Sequence, residues 1–191
     1  YLRRLRELAT AHGTFLIADE VLTGFGRTGT RFACEQAGVT PDLLCCSKAL
    51  TGGTLPLAAT LATEAIYGAF LSRDPGDAFL HGHSYTGNPI ACAAALAALS
   101  LLDDAALARA RAIGDRLGRG LAPLVGRPGV LDVRGLGLVR AVELGDPEGR
   151  GYLAETGRRM ADVALAHGVL LRPLGPVLYA LPPLCVTDVQ V

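Results

Sequence analysis

The sequence predicts an α/β protein: a mostly parallel sheet covered by helices, followed by a smaller α+β unit. Three features carry this expectation. Short apolar runs alternate with stretches of helical periodicity. The runs lack the strict polar–apolar alternation of a strand with one wet face. Asp19 and Lys48 stand just past the ends of two such runs, where open α/β sheets collect their reactive groups.

Leu2, Leu5, Leu8 and Ala9 recur at helical spacing, and Gly13 is placed to stop that helix. Thr14 to Ala18 is an apolar run of strand length that ends on two acids, Asp19 and Glu20. A glycine-rich loop spans Gly24 to Gly29, and Arg31 to Ala37 suits a short helix. Pro41-Asp42 leads into a second strand, Leu43 to Cys46, and Lys48 follows just before the turn Thr51-Gly52-Gly53. Leu57 to Leu61 is a third strand candidate and Glu64 to Leu71 a helix. After a loop from Ser72 to Gly87, Asn88-Pro89 opens a long helix as N-cap and first helical residue. Asp103-Asp104 breaks it, and a second helix runs to about Leu121. Past Gly129 to Gly137 come a strand over Leu138 to Leu144 and a helix from about Tyr152 to His167. Val169 to Arg172 and Val177 to Leu181 read as two more strands.

The 191 residues suffice for one domain, or for one domain and part of another. Half are hydrophobic, with 24 Gly and 11 Pro, which suits a compact enzyme rich in turns. The formal net charge is zero and no basic run stands out, so neither nucleic acid nor an anionic membrane is an expected partner. The most apolar stretch, Ile90 to Leu102, is shorter than the roughly 20 residues a bilayer needs. The five cysteines are odd in number and form no C-x-x-C pair, which fits a reducing cytoplasm better than a disulfide framework or zinc site. Tyr1-Leu2-Arg3-Arg4 has no initiator Met and no signal-peptide core, and reads as the middle of a helix, so a fragment is expected.

Gly24-Phe25-Gly26-Arg27-Thr28-Gly29 matches G-x-G-x-x-G literally. A dinucleotide site needs those glycines at the strand-to-helix turn, where the backbone can approach a pyrophosphate. Asp19 and Glu20 occupy that turn here and would repel one, so the motif is better read as a loop that needs glycine for its backbone. Lys48 has apolar or small neighbours from Leu43 to Ser47 and again at Ala49-Leu50. An apolar setting disfavours a charged ammonium and frees the amine to attack an aldehyde. With Asp19 at an adjacent strand end, the pair suits pyridoxal phosphate (PLP), whose ring nitrogen a carboxylate keeps protonated.

Ile17-Ala18-Asp19-Glu20-Val21 running into the glycine loop, then Pro41-Asp42 and Ser47-Lys48-Ala49-Leu50-Thr51-Gly52-Gly53, resembles the class III aminotransferases. The resemblance implies a type I PLP-dependent transferase fold. It gives Lys48 as the residue that binds the cofactor covalently and Asp19 as the partner of the ring nitrogen. His81 to Cys92 is similar to the family segment that binds PLP phosphate across a homodimer interface, with Ser84 as the hydroxyl contact and His83 as its backbone neighbour. A hydroxyl and free amides ahead of a helix suit an anion. A metal site from His81 and His83 lacks an acidic or Cys partner nearby.

Arg172-Pro173-Leu174-Gly175-Pro176-Val177-Leu178-Tyr179, with Pro182-Pro183 beyond, looks like the substrate segment of the family's biotin-pathway branch. By that resemblance Arg172 pairs with the carboxylate of 8-amino-7-oxononanoate, with Gly82 and Tyr179 as further substrate contacts. A planar guanidinium grips a carboxylate bidentately. His83-Ser84-Tyr85-Thr86 departs from the Pro-Thr version common in that branch, which leaves S-adenosylmethionine and lysine both open as amino donor. The implied layout is the C-terminal half of a PLP-binding large domain over residues 1–104 and a truncated small domain over 105–191. The resemblance extends over the C-terminal half or so of a family member. Two alternatives stand beside it: a class III enzyme for ornithine or an ω-amino acid, and a PLP-fold protein without catalysis.

Overall fold

The computed structural model describes residues 1–147 and 149–191. The chain divides into two compact units, Tyr1–Ala106 and Leu107–Val191.

The first unit opens with helix α1 (Leu2–Ala11) and places strands β1 (Ile17–Asp19), β2 (Leu43–Cys46) and β3 (Ala59–Ala62) side by side in that order. β1 starts later than the apolar run suggested. Thr14 N donates back to Ala9 O at 2.9 Å, and Leu16 N is taken by the Asp42 carboxylate at 2.7 Å, so neither amide is available to a sheet partner. β1 and β2 are parallel, with Ile17 opposite Leu43, Ala18 opposite Leu44 and Asp19 opposite Cys45. β3 departs from the expected direction and runs antiparallel to β2. The segment between them forms only a short 3-10 turn (Lys48–Thr51) and no crossover helix, so the chain doubles back. Helix α2 (Glu64–Gly68) is shorter than predicted.

Helix α3 (Pro89–Ser100) starts as its sequence indicates, with Asn88 Oδ1 accepting from Ile90 N at 2.9 Å and Ala91 N at 3.3 Å. Its Ala95 joins Phe25, Cys46 and Leu50 in a buried cluster, on which Phe32, Leu44 and Leu57 also pack. This core sits directly beneath the Lys48–Thr51 turn.

Helix α4 (Asp104–Leu121) leads into the second unit, after Asp103 Oδ1 has accepted Ala106 N at 2.7 Å. The rest of that unit is an antiparallel sheet of β4 (Val130–Leu136), β5 (Val139–Leu144) and β6 (Val177–Ala180), with helix α5 (Glu155–Ala166) inserted before β6. Ala110, Ile113, Leu138 and Val186 form its core. Gly114 of α4 lies against the β4–β5 turn so closely that a methyl group there would overlap Gly137 O. Val169 to Arg172 is not a strand, which corrects the sequence expectation. Pro173 has no N–H to offer a ladder at the end of that run.

Asp42 closes the entry to β2. Its Oδ2 accepts from Leu16 N at 2.7 Å and from Arg6 Nη1 at 2.6 Å. The Leu16 amide first, and then the Arg6 guanidinium, hold its carboxyl below the usual carboxylate range. A depressed folded value gives stability that is present above the unfolded value and lost as pH falls through the folded one. Asp42→Asn is expected to lower Tm at neutral pH, with the gap to wild type narrowing once the pH drops below about 3.9. Thermal unfolding followed from neutral pH downward measures both effects.

Candidate active site

Asp19 is the last residue of β1 and Lys48 follows β2 by two positions, so the parallel register brings both to the same edge of the sheet. Paired strands lie about 4.8 Å apart. Asp19 is exposed, and its Oδ1 accepts from Val21 N at 3.0 Å. Oδ2 makes no hydrogen bond to the described residues and remains available.

Lys48 has φ 44°, a left-handed backbone that a non-glycine residue adopts only at a cost of order 1 kcal/mol. Hydrogen bonds on both sides of the turn hold it there. Ser47 Oγ donates to Leu57 O at 2.7 Å, Thr51 Oγ1 to Leu55 O at 2.6 Å and Thr54 Oγ1 to Thr51 O at 2.8 Å. Leu50 and Thr51 are buried in the same turn. Ser47, Lys48 and the segment 53–57 line a cleft of about 300 Å³. The Lys48 side chain itself is exposed. The apolar enclosure expected from its neighbours is absent among the described residues, because Leu50 and Cys46 turn into the core below it.

The glycine loop is a support for this edge. Phe25, the one other non-glycine residue with left-handed backbone among those described, has φ 58°. Its ring is buried with Cys46 and Leu50 and meets Phe32 edge-on at 5.4 Å. Gly26 and Gly29 take φ 90° and 94°, and a side chain at Gly24 would come 2.9 Å from Glu20 O. The glycines serve the loop's own path.

Glu20, the second of the two acids at the end of β1, has a role the sequence does not signal. It is 3 % exposed. Oε1 accepts Cys34 N at 2.8 Å and Oε2 accepts the Thr23 hydroxyl. Nothing in its immediate neighbours marks it out, since Cys34 lies 14 residues away.

His83, Ser84 and Gly82 lie on an exposed loop. His83 N donates to Thr86 Oγ1 at 3.0 Å, Tyr85 N to His83 Nδ1 at 3.1 Å and Thr86 N to His83 O at 3.0 Å. The first amides of α3 are spent on Asn88. The amides of His83, Tyr85 and Thr86 are thus committed within the loop, while the Ser84 hydroxyl and the Ser84 and Gly87 amides make no hydrogen bond to the described residues. In the second unit Arg172 is exposed, and Tyr179 is half-buried on β6 opposite Ala141. A tight hairpin separates them, with Leu174 N to Val177 O at 2.9 Å and Gly175 at φ 57°. Gly157 of α5 packs so closely on Gly175 O that no larger residue fits, which fixes the hairpin on that helix.

The family profile "Aminotransferase class-III" matches residues 1–191. This chain belongs to the class III aminotransferases. Adenosylmethionine-8-amino-7-oxononanoate aminotransferase of Synechococcus elongatus is 50 % identical over 190 residues, which cover 100 % of this chain and 44 % of that protein. The solved amine transaminase of an uncultivated Pseudomonas species, in its PLP-bound form, superposes with TM-score 0.91 at 41 % identity, covering 100 % of this chain and 44 % of that one. The solved adenosylmethionine-8-amino-7-oxononanoate aminotransferase of Methanocaldococcus jannaschii gives TM-score 0.87 at 37 % identity, with 96 % and 44 % covered. The chain thus spans less than half the length of these relatives, and the type I fold expected from its motifs is the fold it has.

Cys34 offers a chemical probe of this region. Burial first, and then the hydrogen bond to and charge of Glu20, push its thiol up to about 11. Thiolate is the reactive form, so native Cys34 is expected to resist iodoacetamide at pH values where exposed Cys185 is alkylated. Peptide mapping after timed labelling reads both sites. Rapid Cys34 labelling at neutral pH would contradict the buried Glu20–Cys34 contact.

Proposed function

We propose that this chain is the C-terminal part of a PLP-dependent aminotransferase that moves an amino group onto 8-amino-7-oxononanoate, giving 7,8-diaminononanoate for biotin synthesis. The observation that carries the chemistry is the placement of Asp19 and Lys48 at one edge of a parallel strand pair, beside a cleft that both Lys48 and the segment 53–57 line. The residues present fit the cofactor: Asp19 offers an uncommitted carboxylate oxygen, Lys48 an exposed amine and Ser84 an uncommitted hydroxyl. The substrate rests on the names of relatives at 37–50 % identity and on Arg172.

PLP supplies an electrophilic carbonyl and an electron-withdrawing ring. The chain supplies the rest. Lys48 Nζ would hold the cofactor covalently and, once freed from it by the donor amine, would take a proton from the substrate carbon as general base and return one as general acid. Asp19 holds a proton on the ring nitrogen, because a carboxylate favours a positive charge beside it. Ser84, with His83 beside it, anchors phosphate for the partner subunit of a homodimer. Arg172 grips the substrate carboxylate, and Gly82 and Tyr179 line its path. The amino donor is S-adenosylmethionine or lysine, and the setting is the cytoplasm. No single helix among the described residues is long and apolar enough to cross a membrane.

The amine transaminase at 41 % identity favours a second reading, in which the same Asp19–Lys48 edge serves another amine donor or acceptor. A panel of donors and acceptors with the full-length polypeptide separates the two, and no turnover of 8-amino-7-oxononanoate would overturn the narrower proposal. In that polypeptide, Lys48→Ala is expected to abolish turnover and the visible absorbance of lysine-bound cofactor. Persistence of both would overturn the assignment of Lys48. Arg172→Met is expected to raise KM for the keto acid roughly 10–100-fold, the loss of one charge-assisted pair. Steady-state kinetics with the acid and a neutral analogue tests this, since the analogue should be indifferent to the change.

A further inference from the structure

The buried carboxylate of Glu20 ties together three segments around Asp19. Its main-chain N donates to Cys45 O at 2.8 Å and continues the β1–β2 pairing one residue past Asp19. Its main-chain O accepts Gly24 N at 3.0 Å. Its side chain then reaches both ends of the glycine loop, taking the Thr23 hydroxyl and the Cys34 amide. That loop carries Phe25, whose ring lies with Leu50 and Cys46 beneath the Lys48 turn. Burying a carboxylate costs several kcal/mol unless its oxygens are well satisfied, so an apolar residue of similar size would be the cheaper way to fill this space. An apolar side chain could not accept from Thr23 and Cys34. The loop would then lose its attachment to the strand end.

We infer that Glu20 is a positioning residue, which closes the Thr23–Cys34 loop onto the end of β1 and so holds the Asp19 carboxylate and the Lys48 turn in fixed relation. This rests on the proposed PLP reading, and it acts through the residues that Glu20 holds rather than through contact with cofactor. Loosening Asp19 weakens its hold on the proton of the ring nitrogen. The positive charge there disfavours a second proton at the nearby Lys48 nitrogen, so losing it moves the titration of the cofactor band to higher pH.

The test uses the full-length, cofactor-loaded protein and compares Glu20→Ala, Glu20→Gln and Thr23→Val. Glu20→Ala is expected to raise the pH midpoint of the visible band by about half a unit or more. It is also expected to lower kcat about tenfold or more, with KM for both substrates little changed. Glu20→Gln, which can still accept from Cys34 N and donate to Thr23, is expected to restore the wild-type midpoint. Thr23→Val should fall between. A residue that served stability alone would lower Tm and leave the midpoint where it was. An unmoved midpoint in Glu20→Ala overturns the inference, as does an unmoved midpoint in Thr23→Val if Glu20→Ala does not fold. A wild-type protein with no cofactor band would instead overturn the PLP reading.

Discussion

The parallel pairing of β1 with β2 decides which side chains of the first unit can meet. Three residue pairs and one further bond, from Glu20 N to Cys45 O, set the register. A slip of one residue would turn Asp19 to the opposite face and leave the Lys48 edge without its carboxylate. The register is therefore held from both ends. At the entry, Asp42 takes the Leu16 amide and the Arg6 guanidinium. At the exit, Glu20 takes Cys34 and Thr23. Each clamp is a carboxylate next to a strand, satisfied by groups that a longer apolar contact could not satisfy.

Strain at this edge has a visible compensation. Phe25 and Lys48 both adopt left-handed backbone, and each is costly for a residue with a Cβ. Phe25 offsets its cost by burying an aromatic ring, worth roughly 1.5–3 kcal/mol. Lys48 buries nothing of its own, since its side chain is exposed. The turn that bears it is held by Ser47 and Thr51 side chains and by Leu50 packing on Phe25. The cluster that buries Phe25 thus includes Leu50 of the turn that bears Lys48, so the loop supports the turn. Strain kept at an exposed amine supports the role proposed for Lys48, which would present that amine in one direction.

Much of this was legible in the residue order. β2 was readable to the residue because a run with no polar member is bounded by Asp42 and Ser47. Asn88-Pro89 named the start of α3 for a local reason, a side chain that caps and a ring that fits the first turn. Asp19 and Lys48 stood out because strand ends are local features too. What escaped depended on distant partners. The direction of β3 follows from how the chain returns after the Lys48 turn, which periodicity does not encode. β4 mixes Asp, Arg and Gly into its run and is a strand because β5 lies beside it. Val169 to Arg172 has strand composition and no ladder partner among the described residues. Glu20 and Phe25 gain their meaning only when Cys34 and Leu50 fold against them.

The same contrast bears on how one scaffold serves different substrates. The features that fix Asp19 and Lys48 are main-chain pairing, a buried carboxylate and a small aromatic cluster, all within the first unit. Two of the residues proposed to read the substrate, Arg172 and Tyr179, lie in the second unit, on either side of a hairpin packed on α5 at Gly157. A change of side chain at Arg172 or Tyr179 leaves the bonds that hold Asp19 and the Lys48 turn untouched. Proteins named for an oxononanoate and as an amine transaminase superpose on this chain at TM-scores of 0.87 and 0.91, so one backbone accommodates both names. On the proposed reading, the chemistry rests on bonds within the first unit, and a change of substrate at Arg172 or Tyr179 would leave those bonds in place.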